Sequence, residues 1–568
     1  MGKLIIADIQ LLKKYLSLPI IFGLIYLLSF QAEGQTVTPW LTTASQTVLF
    51  AKQATVNFIT GGVVNPATIY LDPSTKYQNI DGFGFCLTEG SAQTISSLAA
   101  TQQSNLLSNL FDTVSGLGIS VLRISIGASD LSSSDYSYDE IASGTDLTML
   151  HFSLTGPDLL YLIPVLKKIL AINPNIKILA TPWSAPTWMK SNNSFIGGNL
   201  NISDYPAYAL YFVKYLDEMK AQGINIWAIT PQNEPENPYN EPSMSMSSAE
   251  ETNFINNNLG PALVNAGYTT KIIAYDHNCD DTTYPTYVCK NSAYADGSAF
   301  HLYAGSIGAL STVHTATGKN VYFTEQYTAA GGSFSGDLSW HMQNVMIGSV
   351  TNWAKTAIEW NLATNSSYGP HTSGGCSTCL GAITVNSSSS YALNVSYYIV
   401  AHMAKVVKQN AIRIGSSVNS GATSLVNAAF QNPDGSVGLV VHNKGGSSLG
   451  FKVSYGTGSF TYTLAAGAVV SFIWNNGSAT GISEEEAEIK QLQVIPNPVD
   501  EFLMIPNIEK MEFAEYVIFD ISGREELSGK IVKGMDLLEI GVSKLRPGNY
   551  IIHLQGKNGE KGLKFVKK

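Results

Sequence analysis

The chain has 568 residues, of which 45% are hydrophobic, 10% aromatic and only 13% charged. This length exceeds one ordinary domain and is sufficient to bury a large core. The formal net charge of −10 lacks the basic excess that nucleic-acid binding requires, so no nucleic acid is expected as a partner. Few charges and 28 tyrosines favour an extracellular soluble protein.

The N-terminus predicts a secretion signal over residues 1–34. Three lysines within the first 14 residues precede the apolar run Tyr15–Phe30, and the small residues of Ala32–Gly34 fit a cleavage site. A membrane anchor is the alternative, but 16 residues are short for a membrane span. No other stretch of sequence is long and apolar enough, so the mature protein is expected to have no stable transmembrane segment.

Residues 81–405 alternate short β-like runs with longer helical patterns. Eight repeats over about 320 residues predict a (β/α)₈ TIM barrel, an α/β fold. A doubly wound open sheet is the alternative, but no Gly-rich phosphate loop follows the first strand. The predicted strands are Gly82–Cys86, Val121–Ile126, Ile176–Thr181, Ile226–Thr230, Lys271–Tyr275, Ala299–Tyr303, Val321–Thr324 and Ala357–Trp360.

The two flanks of the barrel segment are β-like. Residues 35–80 and 406–475 contain alternating runs such as Ser436–His442 and Ala468–Trp474. One side β-sandwich assembled from both flanks is the economical prediction. Two unrelated small β-units are the alternative.

Charge density rises sharply near the C-terminus. In residues 501–568, 21 of 68 residues are charged, against 55 in the preceding 500. This step predicts a separate module over residues 493–568. Residues 476–492, rich in turn formers and then acidic, are the predicted linker.

Two glutamates dominate the candidate chemistry. Glu234 follows the fourth predicted strand, and Glu325 follows directly on the seventh. Because the C-terminal ends of barrel strands meet at one mouth, the two carboxyl groups can face each other there. Two carboxyls so placed are the minimal apparatus for cleaving a glycosidic bond, and a separation of ~5–5.5 Å predicts retention at the anomeric carbon. The alternative is that each glutamate caps a loop or pairs with a cation.

The proposed chemistry gives the two carboxyls different roles. Glu234 is expected to protonate the leaving oxygen and later to deprotonate water, while Glu325 attacks the anomeric carbon. The acid needs a raised pKa, which burial and the anionic nucleophile are expected to supply. Asn233, beside the acid, is expected to donate to the sugar 2-hydroxyl.

Further side chains at strand ends are candidates for the site. Arg123 is expected to orient Glu325, or else to satisfy a buried carboxylate. Tyr303 is a candidate partner of the nucleophile, and His301 belongs either to the site or to the core. Asp130 is expected to bind sugar hydroxyls, with a turn or cap role as the alternative.

Three tryptophans follow or lie near strand ends. Trp183 and Trp360 offer flat apolar faces for a sugar ring, with packing at the barrel rim as the alternative. For Trp188 rim packing is the preferred interpretation.

Five cysteines follow the predicted signal. Export makes disulfides possible, and the local pairs Cys279 with Cys289 and Cys376 with Cys379 are candidates. Cys86 is expected to be a buried free thiol. A single C-x-x-C pair is weak support for zinc, and neither a metal nor an organic cofactor is implied.

Several motifs together resemble glycoside hydrolase family 30, which includes glucosylceramidases and endo-β-1,6-glucanases. The resemblance covers about residues 36–475 and implies a barrel with a side sandwich, with Glu234 as acid/base and Glu325 as nucleophile. Phe85 and Glu89 depart from the family's first-strand pattern, which puts a sugar contact there in doubt. The motifs are Gly82–Gly90, Leu122–Asp130, Ala180–Lys190, Asn233–Pro235, Asn320–Tyr327 and Glu359–Asn365.

The C-terminal module is similar to the sorting domains of the type IX secretion system. The resemblance implies export by that machinery, with the product secreted or held at the cell surface after both ends are processed. A small carbohydrate-binding β-sandwich is the alternative. The motifs are Val494–Val499, Val517–Gly523, Leu545–Ile551 and Lys564–Lys568.

The sequence thus predicts a secreted retaining β-glycosidase that cleaves β-glucosidic linkages. β-1,6-Glucan is the favoured substrate and glucosylceramide the main alternative, with a β-xyloside or β-fucoside left open. The competing hypothesis from another class is a non-catalytic glycan-binding surface protein.

Overall fold

The computed structural model describes residues 35–60, 65–475, 492, 494–506, 508, 513–532, 534–535, 537–556 and 559–568. The predicted signal peptide, and the predicted linker except Leu492, lie outside the described residues. The chain divides into two units, residues 1–476 and 477–568.

Eight parallel strands close into a barrel at the centre of the first unit. Each strand pairs with the next one along the chain, and the eighth pairs with the first. The predicted TIM barrel is therefore confirmed, and the open sheet is excluded. The strands are Gly82–Cys86, Val121–Ser125, Lys177–Thr181, Ala228–Ile229, Lys271–Cys279, Ala295–Gly305, Asn320–Glu325 and Ala354–Glu359.

The barrel strands are apolar because they are covered on both faces. All five residues of the first strand and all five of the second are buried. Parallel strands covered on both faces show such continuous apolar runs rather than alternation. Gly84 is required by close approach, since a Cβ there would lie 1.8 Å from the carbonyl oxygen of Val121.

Helices cover the outside of the barrel. The last of them, Val395–Ala404, is buried along its whole length, and His402 on it bonds to Thr42 and Ser471 of the side sheet. The α-helices are Glu89–Ser96, Ala100–Phe111, Ile163–Ile172, Tyr205–Ala221, Ser248–Phe254, Gly260–Asn265, Thr283–Asn291, Ala309–Thr317, Phe334–His341, Ile347–Thr351 and Val395–Ala404. Short π-helical turns are Asp158–Leu162, Ile255–Leu259 and Met342–Met346, and 3₁₀ turns are Thr187–Met189, Ile202–Asp204 and Ser420–Ala422.

The β-sandwich beside the barrel contains strands from both flanks, as predicted. Thr36–Thr42 pairs with Val469–Asn475, and Thr68–Asn79 lies between Ile412–Val418 and Leu449–Tyr455. The remaining strands are Ala51–Lys52, Val56–Asn57, Ile59–Thr60, Leu425–Gln431, Ser436–Asn443 and Gly458–Leu464.

Two small sheets lie in the segments that follow the last two barrel strands. Thr328–Ala329 pairs with Cys379–Leu380, and Ile383–Ser387 pairs with both Ala363–Asn365 and Ser390–Leu393.

The second unit is all-β and has its own apolar core, which includes Leu503, Ile518 and Ile552. Its strands are Phe502–Pro506, Phe513–Asp520, Glu525–Lys530, Leu537–Gly541, Gly548–Gly556 and Gly559–Lys567. The predicted β-rich C-terminal domain is confirmed. Within the described ranges, none of the helices combines the length and apolar character needed to traverse a bilayer.

One of the two candidate disulfides is formed. Cys376 and Cys379 are bonded, and Cys86 is a buried free thiol, as predicted. The predicted pairing of Cys279 with Cys289 is wrong, because both are buried free thiols. Cys279 ends the fifth barrel strand and Cys289 lies on the following helix, and each is buried there without a bond to the other.

Candidate active site

The candidate site lies at the C-terminal ends of the barrel strands, where working groups of this fold are located. The fold brings the predicted site residues to this end from six of the eight strands or the loops after them. These residues are Arg123, Asp130, Trp183, Asn233, Glu234, His301, Tyr303, Glu325 and Trp360.

Glu325 ends the seventh strand and is held by two donors. Arg123 Nη1 donates to its Oε2 at 2.5 Å, and the Tyr303 hydroxyl donates to its Oε1 at 3.0 Å. Burial raises the pKa of the Glu325 carboxyl, and the positive charges of His301 and Arg123 oppose that rise without cancelling it.

Glu234 has a strained backbone and three fixed contacts. Its φ is 46°, in the left-handed region, and its N–H donates to the carbonyl of Asp276 at 3.0 Å. Its Oε1 lies 2.9 Å from His301 Nδ1, and its Oε2 accepts from Asn237 Nδ2 at 2.8 Å. Strain of this kind persists only where surrounding contacts impose it, so these contacts hold the carboxyl in one place.

His301 connects two carboxylates. Its Nδ1 faces Glu234, and its Nε2 lies 3.2 Å from Asp276 Oδ1. Burial alone would lower its pKa, but the charge of Glu325 and the bonds to Asp276 and Glu234 raise the pKa of His301 to about 9. The imidazole therefore lies between two candidate site carboxylates, and its raised pKa favours the protonated form at neutral pH.

Asp276 was not predicted, and it lies at the centre of the network. It accepts from Arg123 Nη2 at 2.8 Å, Thr324 Oγ1 at 2.7 Å and Thr230 Oγ1 at 2.9 Å, in addition to its contact with His301. Burial opposes ionisation, yet the Arg123 and His301 interactions hold its pKa well below the usual range. The sequence did offer a signal for Asp276, because it directly follows the predicted fifth strand, just as Glu325 directly follows the predicted seventh strand.

A backbone irregularity aims Asp276 into the site. Tyr275 and Asp276 have φ values of 74° and 51°. They fall where the pairing with the sixth strand shifts register, between Ala274 and His277. Irregularities of this type redirect a side chain next to a site, and periodicity in the sequence does not reveal them.

The order of carboxyl pKa values differs from the expectation. Burial raises the pKa of Glu234, but the bond to His301 and its charge outweigh burial, and the net shift is downward. The expected raised pKa of the acid is therefore wrong for the free protein. The reason is the protonated imidazole, which lies closer to Glu234 than to Glu325, at 2.9 Å against 3.8 Å.

Two tryptophans pack around the buried arginine. The ring centroids of Trp183 and Trp360 are 5.4 Å apart, and the Arg123 guanidinium carbon lies 4.8 Å from the Trp183 centroid. Both rings are almost wholly buried. Trp188 packs at the rim, where its Nε1 donates to the carbonyl of Asp139 at 2.8 Å.

Two further polar groups have unused hydrogen-bonding capacity. The Oδ1 of Asn233 accepts from Arg123 at 2.7 Å, so its NH₂ group is the part that can donate elsewhere. The Oδ1 of Asp130 is buried and has no partner among the described residues. Burial and the charges of Glu325 and Glu234 raise the pKa of Asp130 to about 8. A buried polar atom without a partner is costly, which suits a group that awaits a ligand.

Phe85 and Glu89, which depart from the family's first-strand pattern, both have fully buried side chains. Phe85 is fully buried in the core, and Glu89 accepts from the Ser133 amide at 2.8 Å. Glu89 therefore supports the loop that follows the second strand.

Two groups of side chains among the described residues have the composition of a metal site. One is Glu234, His301 and Glu325, and the other is Asp139, Asp146 and His151, each with ligand atoms within 4.8 Å of one another. In the first group Arg123 and protonated His301 already supply positive charge to the carboxylates. In the second, Asp146 accepts from both the amide and the ring of His151, as a loop-capping aspartate does.

A closed parallel barrel with two buried glutamates close together at its C-terminal mouth is the arrangement that glycoside hydrolases use. Residues 80–407 match the glycosyl hydrolase family 30 TIM-barrel domain and residues 410–472 its β-sandwich domain. The chain belongs to glycosyl hydrolase family 30. Residues 493–568 match a secretion system C-terminal sorting domain, which indicates a secreted or cell-surface protein.

Individual relatives agree with the family. An endo-1,6-β-D-glucanase of Neurospora crassa is 36% identical over 400 residues, which are 67% of this chain and 82% of the relative. A solved endo-β1,6-glucanase structure is also 36% identical, with a TM-score of 0.73, and the match covers 78% of this chain and 100% of that structure. The lysosomal acid glucosylceramidase of Mus musculus is 26% identical over 71% of this chain and 82% of its own length.

Proposed function

We propose that the protein is a secreted endo-β-1,6-glucanase that acts with retention, with Glu325 as nucleophile and Glu234 as acid/base. The observation that supports the mechanism is the short distance between the two carboxyl groups. One carboxylate oxygen of Glu234 lies within 4.8 Å of one carboxylate oxygen of Glu325. Inverting enzymes keep their carboxyls ~6.5–9.5 Å apart to admit water between carboxyl and sugar, whereas retaining enzymes use ~5–5.5 Å.

In the first half-reaction Glu325 attacks the anomeric carbon. The bond from that carbon to the leaving oxygen breaks, an ester bond to Glu325 forms, and Glu234 gives its proton to the leaving oxygen. Arg123 and Tyr303 hold the two carboxylate oxygens of Glu325, so the nucleophile meets the sugar without rotating.

In the second half-reaction Glu234 takes a proton from water. The water oxygen bonds to the anomeric carbon, the ester to Glu325 breaks, and the product keeps the β configuration.

Protonated His301 provides the proton that Glu234 needs. In the free protein Glu234 is a weaker base than His301, so the proton resides on the imidazole. A shift across the 2.9 Å contact from Nδ1 to Oε1 yields a protonated acid and a neutral imidazole still bonded to Asp276. Glu234 and His301 thus act as a pair that holds one proton.

The remaining site residues are assigned to the sugar. The free NH₂ of Asn233 is placed to donate to the 2-hydroxyl, and the unpaired Oδ1 of Asp130 suits another hydroxyl of the same ring. Trp183 and Trp360 form an apolar wall around Arg123, against which the sugar ring packs.

The choice of β-1,6-glucan rests on similarity. A relative and a solved structure named for that activity are each 36% identical to this chain, against 26% for the lysosomal glucosylceramidase. We propose that export removes the predicted signal over residues 1–34 and the sorting domain over residues 493–568. The mature enzyme then comprises the barrel (81–405) and its two sandwich flanks (35–80 and 406–475).

A substrate panel tests this function. Purified protein is incubated with β-1,6-glucan, glucosylceramide, xylan and an aryl β-glucoside, and products are separated by length. We expect a series of short β-1,6-linked oligosaccharides, with the β anomer formed first in the proton NMR spectrum. Faster cleavage of glucosylceramide than of β-1,6-glucan would favour the alternative substrate. Binding without turnover on the whole panel would contradict the proposal that the protein is an enzyme.

Replacement of His301 by asparagine is expected to move the alkaline limb of kcat/KM to lower pH. In the wild type the Glu234–His301 pair keeps its proton until the pH rises through about 9, the pKa of His301. In the variant the proton must reside on Glu234 alone, a carboxyl that loses it at lower pH. The pH profile on an aryl β-glucoside measures the shift, for which we expect more than about one pH unit.

Tyr303→Phe is the matched control for this profile. It removes a hydrogen bond to Glu325 but leaves the Glu234–His301 pair intact. Its alkaline limb should coincide with the wild-type limb. If the alkaline limb of kcat/KM in His301→Asn coincides with that of the wild type, the proposal that Glu234 and His301 share one proton is contradicted.

A further inference from the structure

A disulfide-closed loop lies at the mouth of the barrel. It is formed by residues 366–380, after the eighth strand, and the Cys376–Cys379 bond closes its C-terminal end. Cys379 and Leu380 pair with Ala329 and Thr328, a few residues beyond Glu325. The Ala330 amide also donates to the carbonyl of Thr378 at 2.8 Å. The loop is therefore tied to the segment that follows the strand of Glu325.

The same loop contacts Asp130. The Thr372 amide donates to the Asp130 carbonyl at 3.0 Å, and the backbone N–H of Cys376 opposes the rise that burial causes in the pKa of the Asp130 carboxyl. Gly375 packs so closely that a Cβ would lie 2.1 Å from that carbonyl oxygen. The loop thus holds the backbone of Asp130.

The loop also reaches the segment that follows Glu234. The Thr372 hydroxyl donates to the carbonyl of Glu241 at 2.6 Å. Asn237, which donates to Glu234, begins the same segment. Contacts from one loop therefore reach segments next to three acidic residues of the site.

The disulfide itself is packed against the wall of the site. Cys379 is buried in the apolar cluster that contains Trp183 and Trp360, and Cys376 packs against that cluster. A cross-link between residues only three apart restricts the unfolded chain little, because its closed loop is so short. Its main effect is therefore on the local position of the loop backbone that contacts Asp130.

We propose that the Cys376–Cys379 disulfide is a positioning element for Asp130 and so determines how tightly the site binds a glucosyl ring. The proposal rests on the proposed role of Asp130 as a sugar ligand. With the bond intact, the backbone of residues 372–376 holds the Asp130 main chain, and the Oδ1 of Asp130 is left for the sugar. With the bond absent, the loop loses the closure that keeps this backbone against Asp130.

The first test removes the disulfide in two ways. Cys376→Ser/Cys379→Ser, and wild-type protein reduced with a phosphine, should each bind the iminosugar 1-deoxynojirimycin, a glucose-shaped ligand without a leaving group, about tenfold or more weakly. On an aryl β-glucoside KM should rise by a similar factor, while kcat changes by less than about threefold. Reoxidation should restore the wild-type values, and the phosphine should not affect the double-serine variant.

Two comparisons separate positioning from general stability. Cys289→Ser, at a buried free thiol on the helix Thr283–Asn291, is the matched control and should bind the iminosugar as the wild type does. In an Asp130→Asn background, loss of the disulfide should weaken binding by less than about twofold, because the two changes remove one interaction.

The outcomes distinguish this proposal from the proposed function. Unchanged iminosugar affinity without the disulfide, or an undiminished effect in Asp130→Asn, overturns the positioning role even if the enzyme is active. Weakened binding supports the positioning role even if no glucan on the panel is cleaved. Wild-type protein that neither binds the iminosugar nor cleaves a glucoside overturns both.

Discussion

Replacement of Glu325 by alanine is expected to reduce β-glucoside hydrolysis by about 10⁴-fold or more, on every substrate, because no other group can form the glycosyl ester. Glu234→Ala removes only proton transfer, which contributes about 10²–10⁴-fold. Its loss should be large on β-1,6-glucan. It should be small in the first half-reaction of an aryl glucoside whose leaving group needs no proton.

Azide distinguishes the two roles by stereochemistry. In Glu234→Ala, azide enters where water normally attacks the glycosyl ester, and the product is the β-glucosyl azide. In Glu325→Ala, azide occupies the position of the missing carboxylate and attacks the sugar directly, which gives the α anomer. Initial rates and the NMR spectrum of the azide adduct are the measurements.

The control for these alanine variants is Glu218→Ala, on the exposed face of the helix Tyr205–Ala221. It should retain wild-type rates. Equal losses in both site variants on an activated aryl glucoside would contradict the assignment, as would the α-azide from Glu234→Ala.

Replacement of Asp276 by asparagine is expected to have the second largest effect. The asparagine keeps the shape but removes the charge that faces Arg123 at 2.8 Å and His301 at 3.2 Å. Two buried cationic groups then lose a shared anion, which should lower the free energy of unfolding by about 3–5 kcal/mol. The pKa of His301 falls because an interaction that raised it is gone.

Activity of Asp276→Asn should fall by about 10²–10⁴-fold, the range seen when a buried carboxylate that orients a histidine is neutralised. Thermal melts and kcat/KM on an aryl β-glucoside measure the two effects. The alkaline limb of kcat/KM should also move to lower pH, since the imidazole holds its proton less strongly.

Asp158→Asn is the matched control, because Asp158 is also a fully buried carboxyl. It accepts from the hydroxyls of Tyr136 and Tyr138, and burial raises its pKa to about 7. Because no cation among the described residues depends on its negative charge as Arg123 depends on Asp276, replacement by the neutral asparagine removes little. Its activity should remain close to that of the wild type. An Asp276→Asn variant as active as Asp158→Asn would show that the charge of Asp276 is dispensable.

The barrel could be predicted because its strands are continuous apolar runs separated by helical patterns. All eight predicted strands are present, with shifts of a few residues at their ends, as in the sixth, which begins at Ala295. Strand ends in a parallel barrel converge on one mouth. Glu234 and Glu325 could therefore be paired although 90 residues separate them.

The interactions within the site could not be predicted in the same way. Asp276 enters it through an irregularity of the fifth strand, which depends on pairing with the sixth strand. Of the two candidate disulfides, only Cys376–Cys379 is formed, and this outcome depends on which sulfurs the fold brings together. Both are properties of contacts between segments far apart in the chain, and a local pattern does not contain them.

The sequence by itself therefore determined the class of fold, the two carboxyls and their strands, because these follow from periodicity and from the geometry shared by all such barrels. Only the tertiary structure decided which carboxyl holds its proton more weakly. That order depends on His301, which lies 2.9 Å from Glu234 and 3.8 Å from Glu325. Electrostatic interactions in a buried site change steeply over such distances, and no spacing along the chain encodes them.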